Sequence, residues 1–192
     1  MRAVLGNDVV DLTDPAIAEH HKHLRFLSRV CAADERERVT TALDLWTLFA
    51  AKEAAYKALV KLGRSPGFAH RDIRVNHGLC TVRWLDHELE LSVTSDGNHV
   101  HAVAWSPSAR PPVARVARAD ARGAGARKLL CELVASTIGC VASELEVVRD
   151  PVAGSWDGSG PPRVHRAGTA IDADVSMSDD GLFVAAATFA AQ

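Results

Sequence analysis

The sequence predicts an α+β fold of two similar halves, each an antiparallel sheet packed with helices. Three observations predict it. In the first half a long amphipathic helix stands between an apolar strand and several alternating, strand-like segments. A shorter version of the same order follows a segment rich in proline and alanine. Both halves also end alike, with LSVTSDG then VHAVA in one and VSMSDDG then VAAA in the other. Two copies of one structural unit would explain this echo.

The composition is that of an ordinary globular protein. Hydrophobic residues make up 47% and charged residues 24% of the chain, and the formal net charge is −2. This balance gives no general electrostatic reason to bind nucleic acid. No run of eighteen apolar residues occurs, and acidic residues interrupt the N-terminal segment. We therefore expect a cytoplasmic protein that contacts neither nucleic acid nor membrane. The four cysteines are widely spaced, which predicts free thiols rather than a zinc site.

The first half contains the strongest secondary-structure patterns. Residues 3–12 predict a strand that carries Asp8 near its end, and residues 20–38 predict a polar helical stretch. Apolar residues recur at three- and four-residue spacing over 44–62, which predicts an amphipathic helix that ends near Gly63. An antiparallel sheet is predicted from four further segments: 72–75, 80–85, 88–94 and 100–105.

Residues 106–125 contain three prolines and no regular apolar period, which predicts a linker. The chain is thereby divided into a first half, 1–105, and a second half, 126–192. The second half is predicted to contain a helix at 127–139, a glycine-rich loop at 154–162 and three strands: 145–148, 173–178 and 183–190.

Three charged residues of the first half form a candidate metal and phosphate site. Glu53 and Lys57 stand four apart on the predicted long helix and share one face. Alone, this spacing is more typical of a surface ion pair that stabilises the helix by about 0.3 kcal/mol. Small residues surround the pair, however, which would let another group approach this face closely. Asp8 ends an apolar strand, where a charge is costly unless it is solvated, paired or bound to metal. Asp8 and Glu53 could hold Mg²⁺, or Mn²⁺, with Lys57 on a phosphate.

These residues lie in segments that resemble a known family. GNDVVDL at 6–12, RFLSRVCAADE at 25–35 and FAAKEAAYKA at 49–58 resemble the signatures of the 4′-phosphopantetheinyl transferase superfamily. Their order and separation are similar to those of the small holo-acyl-carrier-protein synthases. GFAHRDI at 67–73 and LSVT at 91–94 resemble the strands that follow in that family.

The second half resembles a different part of the same superfamily. RKLL at 127–130, GPPR at 160–163 and VSMS at 175–178 resemble elements from the amino-terminal half of the larger, surfactin-synthetase-type transferases. Those proteins bind coenzyme A between two similar halves. The resemblance implies a pseudo-dimer, active as a monomer, with a metal-binding catalytic half first and a coenzyme-A-binding half second. The family's histidine after S-x-S is Asp179 here, and the lysine of G-K-P is Pro161.

The resemblance implies transfer of 4′-phosphopantetheine from coenzyme A to a serine of an apo acyl or peptidyl carrier protein, which releases 3′,5′-ADP. Asp8 and Glu53 would hold the metal, and Lys57 would act on phosphate. Coenzyme A would also contact four residues of the second half: Arg127, Lys128, Arg163 and Ser178. Arg25 and Arg29, at helical spacing, are candidates for binding the carrier's acidic helix, or form a solvated basic face. The alternative is a non-catalytic relative that binds coenzyme A or a carrier protein within a biosynthetic complex.

Overall fold

The structure, a computed structural model, describes residues 3–64, 70–119, 122–152 and 158–190. Within these ranges the α-helices are Leu24–Val30 (α1), Ala33–Arg36 (α2), Ala42–Lys61 (α3) and Arg122–Ile138 (α4). The strands of the first half are Leu5–Asp11 (β1), Arg74–Val75 (β2), Thr81–Trp84 (β3), His87–Ser95 (β4) and His99–Trp105 (β5). The later strands are Val113–Arg118 (β6), Leu145–Val148 (β7), Arg163–Arg166 (β8), Thr169–Ala170 (β9), Val175–Asp180 (β10) and Phe183–Thr188 (β11). This confirms the predicted α+β class with antiparallel sheets.

Two of the three sheets share one strand arrangement. The first sheet has the order β1-β5-β4-β3-β2 and the second the order β6-β11-β10, while β7, β8 and β9 form a third. In the first and second sheets a lone strand pairs with the second strand of a hairpin. The two hairpins also correspond in register. Leu91 pairs with Ala104 and Val175 pairs with Thr188, so one shift along the sequence superimposes both pairs. The sequence echo therefore marks two equivalent hairpins.

The prediction of a linker at 106–125 is wrong. This segment contains β6, which pairs with β11 from Val113 opposite Thr188 to Arg118 opposite Phe183, and it also contains the start of α4. β6 is an edge strand in which Val113, Ala114, Arg115 and Arg118 are exposed. Only Val116 and Ala117 pack against buried residues, so the segment has no hydrophobic alternation that would predict a strand. The helical stretch predicted at 20–38 is likewise divided, into a short 3₁₀ turn at His20–Lys22 and the helices α1 and α2. Part of the loop predicted at 154–162 and the motif at 67–69 lie outside the described residues.

Helix α3 lies unusually close to β1. It begins at a capping box, in which Asp44 N donates to Thr41 Oγ1 at 3.2 Å and Asp44 accepts from Thr41 N at 2.8 Å. A Cβ atom on Gly6 would stand 2.1 Å from the carbonyl oxygen of Ala54, so only glycine permits this approach. The neighbouring alanines of α3 are fully buried. The small residues of α3 thus allow strand β1 to approach closely.

Strands β1 and β10 run side by side but belong to different sheets; we refer to their contact as the seam. Side chains of β10, and of Asp174 directly before it, accept hydrogen bonds from backbone N–H groups of β1: Asp174 from Leu5 at 2.8 Å, Ser176 from Asn7 at 2.9 Å and Asp180 from Asp11 at 2.8 Å. The partners advance together along both strands, so the strands are parallel. From α3, Lys61 Nζ donates to Leu5 O at 2.7 Å and to Val175 O at 2.6 Å. Side chains therefore take the place of a backbone ladder along this edge of β1.

Candidate active site

Asp8 and Lys57 meet where β1 lies against α3. Lys57 Nζ donates to Asp8 Oδ1 at 2.8 Å and to Asn7 O at 3.0 Å. The Asp8 side chain is 13% exposed and the Lys57 side chain is 31% exposed. The close approach at Gly6 brings the two residues together, because it sets α3 directly over β1. Asp8 is the middle residue of β1, not near its end as predicted. Asp8 and Lys57 are thus in direct contact, and the lysine is partly open to solvent.

The Asp8 carboxylate lies in an unfavourable electrostatic environment. Burial raises its pKa to about 6; the adjacent Lys57 opposes this rise, and the negative charges of Glu53 and Asp180 add to it. Asp8 is therefore held close to the acidic residues of both α3 and β10. A cation bound here would relieve the repulsion among them.

The raised pKa of Asp8 predicts a measurable effect on stability. An acid whose folded-state pKa exceeds its unfolded value of 3.8 stabilises the fold at pH below that value and loses this contribution as pH rises through about 6. Asp8→Asn should therefore be more stable than the wild type by roughly 2–3 kcal/mol at pH 7.5, and similar to it near pH 4. Urea unfolding of both proteins at the two pH values measures the difference. A gap of equal size at pH 4 and pH 7.5 would contradict the prediction.

Glu53 lies one helical turn before Lys57 and is held by a histidine. His70, in a 3₁₀ turn at His70–Asp72, hydrogen-bonds through Nε2 to Glu53 Oε1. Burial alone would raise the pKa of Glu53, but the hydrogen bond and attraction of His70, together with Lys57, outweigh it and hold the pKa below its usual value. Glu53 is therefore ionised at neutral pH. The sequence contains no local signal for this contact, because seventeen residues separate the two side chains.

Lys52, which precedes Glu53, is fully buried. Its Nζ lies 2.5 Å from Glu35 Oε2, 2.9 Å from Val30 O and 3.1 Å from His70 O. Glu35 is also fully buried and accepts backbone N–H groups from Ala32 at 2.8 Å and Val75 at 2.9 Å. This ion pair ties α2, α3, β2 and the His70 turn together. No sequence pattern predicts this ion pair, because Glu35 lies in a stretch with the composition of an exposed polar helix.

Arg25 and Arg29 are exposed on α1, as their helical spacing predicts. They line a shallow pocket together with His20, His23 and Phe26. A row of ring contacts leads from this pocket to the acidic site, with centroids 5.0–5.7 Å apart: His20 to Phe26, Phe26 to Trp46, Trp46 to Phe49, and Phe49 to His70. The basic surface of α1 and the Glu53 region are therefore joined by packed aromatic rings.

The residues expected to bind coenzyme A are dispersed over the second half. Arg127 and Lys128 lie on α4 and line a shallow groove against the β7 strand. Arg163, on β8, pairs with Asp150 at 3.0 Å. Ser178 lies in the seam, 7% exposed, where its Oγ accepts a hydrogen bond from Asn7 Nδ2 at 3.3 Å. Among the described residues no hydrogen bond or ion pair joins Arg127, Lys128 or Arg163 to the Asp8 site.

Two further residues near the site, Asn7 and His101, were not predicted from the sequence. Asn7 is fully buried, and its Nδ2 lies 3.2 Å from Nε2 of His101. Burial lowers the pKa of His101 to about 4, so this ring is neutral and can accept the hydrogen bond. Asp11 points away from Asp8: its Oδ2 accepts from Leu182 N at 2.8 Å, and a Cβ on Gly181 would stand 2.0 Å from that oxygen. Asp11 thus fixes the end of β1 to the β10–β11 turn.

The geometry provides two carboxylates and a lysine at one place, without a complete protein cage for a metal. Among the residues that the structure describes, no group of three or more His, Cys, Asp or Glu side chains is arranged to hold an ion.

The helices within the described ranges include none with the length and hydrophobicity that a membrane-spanning segment needs.

Comparison with known proteins assigns the family. No curated protein and no solved structure shows significant similarity to the chain. A family model does match, over residues 4–104, which is just over half of the chain and includes β1, α3 and the sheet that they pack against. With Asp8, Glu53 and Lys57 all inside the matched segment, the chain belongs to the 4′-phosphopantetheinyl transferase superfamily.

Proposed function

We propose that this chain transfers 4′-phosphopantetheine from coenzyme A to a serine of an apo acyl or peptidyl carrier protein, in a Mg²⁺-dependent reaction that releases 3′,5′-ADP. The observation that carries the proposal is the convergence of Asp8, Glu53 and Lys57. They come from β1 and α3, inside the segment that matches the family. Two acids and one accessible cation suit a pyrophosphate substrate that must be both neutralised and activated.

The donor set fits a hard divalent ion. Asp8 and Glu53 would supply carboxylate oxygens, and Mg²⁺ commonly uses one or two protein carboxylates with water and substrate phosphate. The raised pKa of Asp8, caused by burial and by Glu53 and Asp180, supports a cation in this environment. Mg²⁺ or Mn²⁺ bound there would draw charge from the pyrophosphate and make the phosphorus more electrophilic.

The protein's own groups would position and deprotonate the reactants. Lys57 Nζ, which donates to Asp8 Oδ1 and Asn7 O in the structure, would donate to a phosphate oxygen and offset its negative charge. Ionised Glu53 would accept the proton of the carrier serine. The serine oxygen then bonds to the β-phosphorus, and the bond from that phosphorus to the oxygen bridging to 3′,5′-ADP breaks. The electron pair leaves with 3′,5′-ADP.

Arg25 and Arg29 would dock the carrier protein. Their exposed guanidinium groups suit the acidic helix that such carriers present, and the attraction would speed encounter. Replacing both arginines with alanine should raise KM for the carrier and weaken its dependence on salt, while KM for coenzyme A stays the same. Steady-state kinetics at low and high salt checks this. If the carrier KM and its dependence on salt are unchanged, Arg25 and Arg29 form a solvated face and do not bind the carrier.

We assign coenzyme A binding to the second half, through Arg127, Lys128, Arg163 and Ser178 together with Lys57. The matching strand orders of the first two sheets, and the equivalent hairpins, support a pseudo-dimer in which one chain supplies both halves. The catalytic half would then be 1–105, with β6 and α4 belonging to the coenzyme-A-binding half. Such a chain should act as a monomer. Elution as a trimer in size-exclusion chromatography would contradict this assignment.

One observation favours the alternative of a non-catalytic relative that binds coenzyme A or a carrier protein. Ser178 is buried in the seam and hydrogen-bonded to Asn7. Its neighbour Asp179 occupies the position where the family has a histidine. A phosphate contact at Ser178 would require the seam to open.

Intact-mass spectrometry of several apo carrier proteins distinguishes these two functions. Each carrier is incubated with the chain, coenzyme A and Mg²⁺, and in parallel with a chelator. A gain of one phosphopantetheine mass that the chelator prevents would support the transferase and reveal its preferred carrier. Coenzyme A binding with no mass gain on any carrier would favour the non-catalytic relative.

A further inference from the structure

We infer that His70 is a positioning residue for Glu53: it fixes the orientation of this carboxylate and thereby sets how tightly the site holds a divalent cation. The inference rests on the proposed function, since it concerns the same acidic site. It adds a residue outside the β1 and α3 pair, one that contacts Glu53 rather than substrate.

The imidazole ring is held by two side chains of α3. Its Nε2 hydrogen-bonds to Glu53 Oε1, and its plane stacks on Phe49 with centroids 5.4 Å apart and an interplanar angle of 9°. Since an ionised carboxylate only accepts hydrogen bonds, Nε2 carries the proton. Phe49 and Glu53 are one turn apart, so the ring lies along the helix face that also carries Lys57.

The backbone of His70 is fixed separately from its ring. Lys52 Nζ donates to His70 O at 3.1 Å, and Lys52 is itself held by the buried carboxylate of Glu35. Two consecutive residues of α3 therefore contact His70: Lys52 at its carbonyl oxygen and Glu53 at its ring. A change of the ring leaves the Lys52 contact in place, so the role of the ring can be tested without loss of the turn.

The physical reason for the ring contact is the freedom of a glutamate side chain. Glu53 is partly exposed at 24%, and without a partner its carboxylate could rotate away from Asp8. A hydrogen bond to one oxygen removes that freedom and leaves the other oxygen for a cation. Loss of such an outer contact commonly weakens metal binding by about 10- to 100-fold.

The test compares His70→Phe with His87→Phe. Phenylalanine at position 70 keeps an aromatic ring against Phe49 but removes the donor. His87, on the β3–β4 hairpin, is a matched control. Its ring stacks on Trp84 with centroids 6.2 Å apart and an interplanar angle of 11°. Its side chain is 18% exposed, against 15% for His70, and its Nε2 lies 3.6 Å from Asp86 Oδ1. Mn²⁺ binding to each protein without coenzyme A is measured by electron paramagnetic resonance, with kcat, KM and the unfolding midpoint alongside.

His70→Phe should weaken Mn²⁺ binding by about 10- to 100-fold and lower kcat, with KM for the carrier and the unfolding midpoint little changed. His70→Gln, which retains an N–H donor, should recover part of the affinity, and His87→Phe should match the wild type. Mn²⁺ affinity within twofold of the wild type in His70→Phe overturns the inference, as does a wild type that binds no Mn²⁺. Weaker Mn²⁺ binding in His70→Phe, in a chain that modifies no carrier, would support the inference and reject the transferase.

Discussion

Lys52→Ala is expected to destabilise the fold by about 3–5 kcal/mol, because it leaves the Glu35 carboxylate buried without a counter-charge. Both side chains are inaccessible to solvent, and Lys52 Nζ also satisfies the carbonyls of Val30 and His70. Urea unfolding at pH 7.5 measures the change. A loss of this size is a large fraction of the stability of an ordinary domain, about 5–15 kcal/mol.

Lys22→Ala is the matched control for burial. Lys22 pairs with Glu19 at 2.5 Å, the same distance as Lys52 to Glu35, but these side chains are 63% and 65% exposed. Solvent screens an exposed pair of this kind, so Lys22→Ala should change stability little. If both variants lose the same amount, burial is not the reason for the importance of Lys52.

Glu53→Gln is expected to lower phosphopantetheine transfer by roughly 10²–10³-fold with little loss of stability. Glutamine retains an oxygen for the His70 contact but removes the charge that would hold the cation and accept the serine proton. The larger part of the loss should appear in kcat, because the missing charge acts mainly in the transition state. Timed intact-mass measurements on the preferred carrier give both kinetic constants.

Glu88→Gln provides the control for removal of one negative charge. Glu88 lies on β4, where it pairs with Arg83 at 2.6 Å on an exposed face. Its replacement should leave the transfer rate within twofold of the wild type. Transfer by Glu53→Gln at the wild-type rate would remove Glu53 from the site and leave Asp8 as the sole carboxylate assigned to the metal.

The sequence by itself determined the elements whose hydrophobic pattern is strong. The spacing of apolar residues placed α3 within two residues of its observed ends, and the alternating segments became β3, β4 and β5. The GNDVVD and KEAAYK motifs selected Asp8, Glu53 and Lys57, which the fold brings to one place. These features were accessible because helix periodicity, strand alternation and the positions of charged residues within them are properties of a local segment.

The tertiary structure alone decided the features that depend on distant partners. β6 exists as a strand because β11 offers it a backbone edge, and its own exposed residues carry no pattern that predicts it. His70 and Glu35 make their contacts only when the folded chain brings them against α3, and each contacts a residue seventeen positions away. The seam likewise joins residues about 170 positions apart, through side chains whose partners are backbone groups. Because a backbone N–H or carbonyl is the same in every residue type except proline, no sequence motif can mark such a partner.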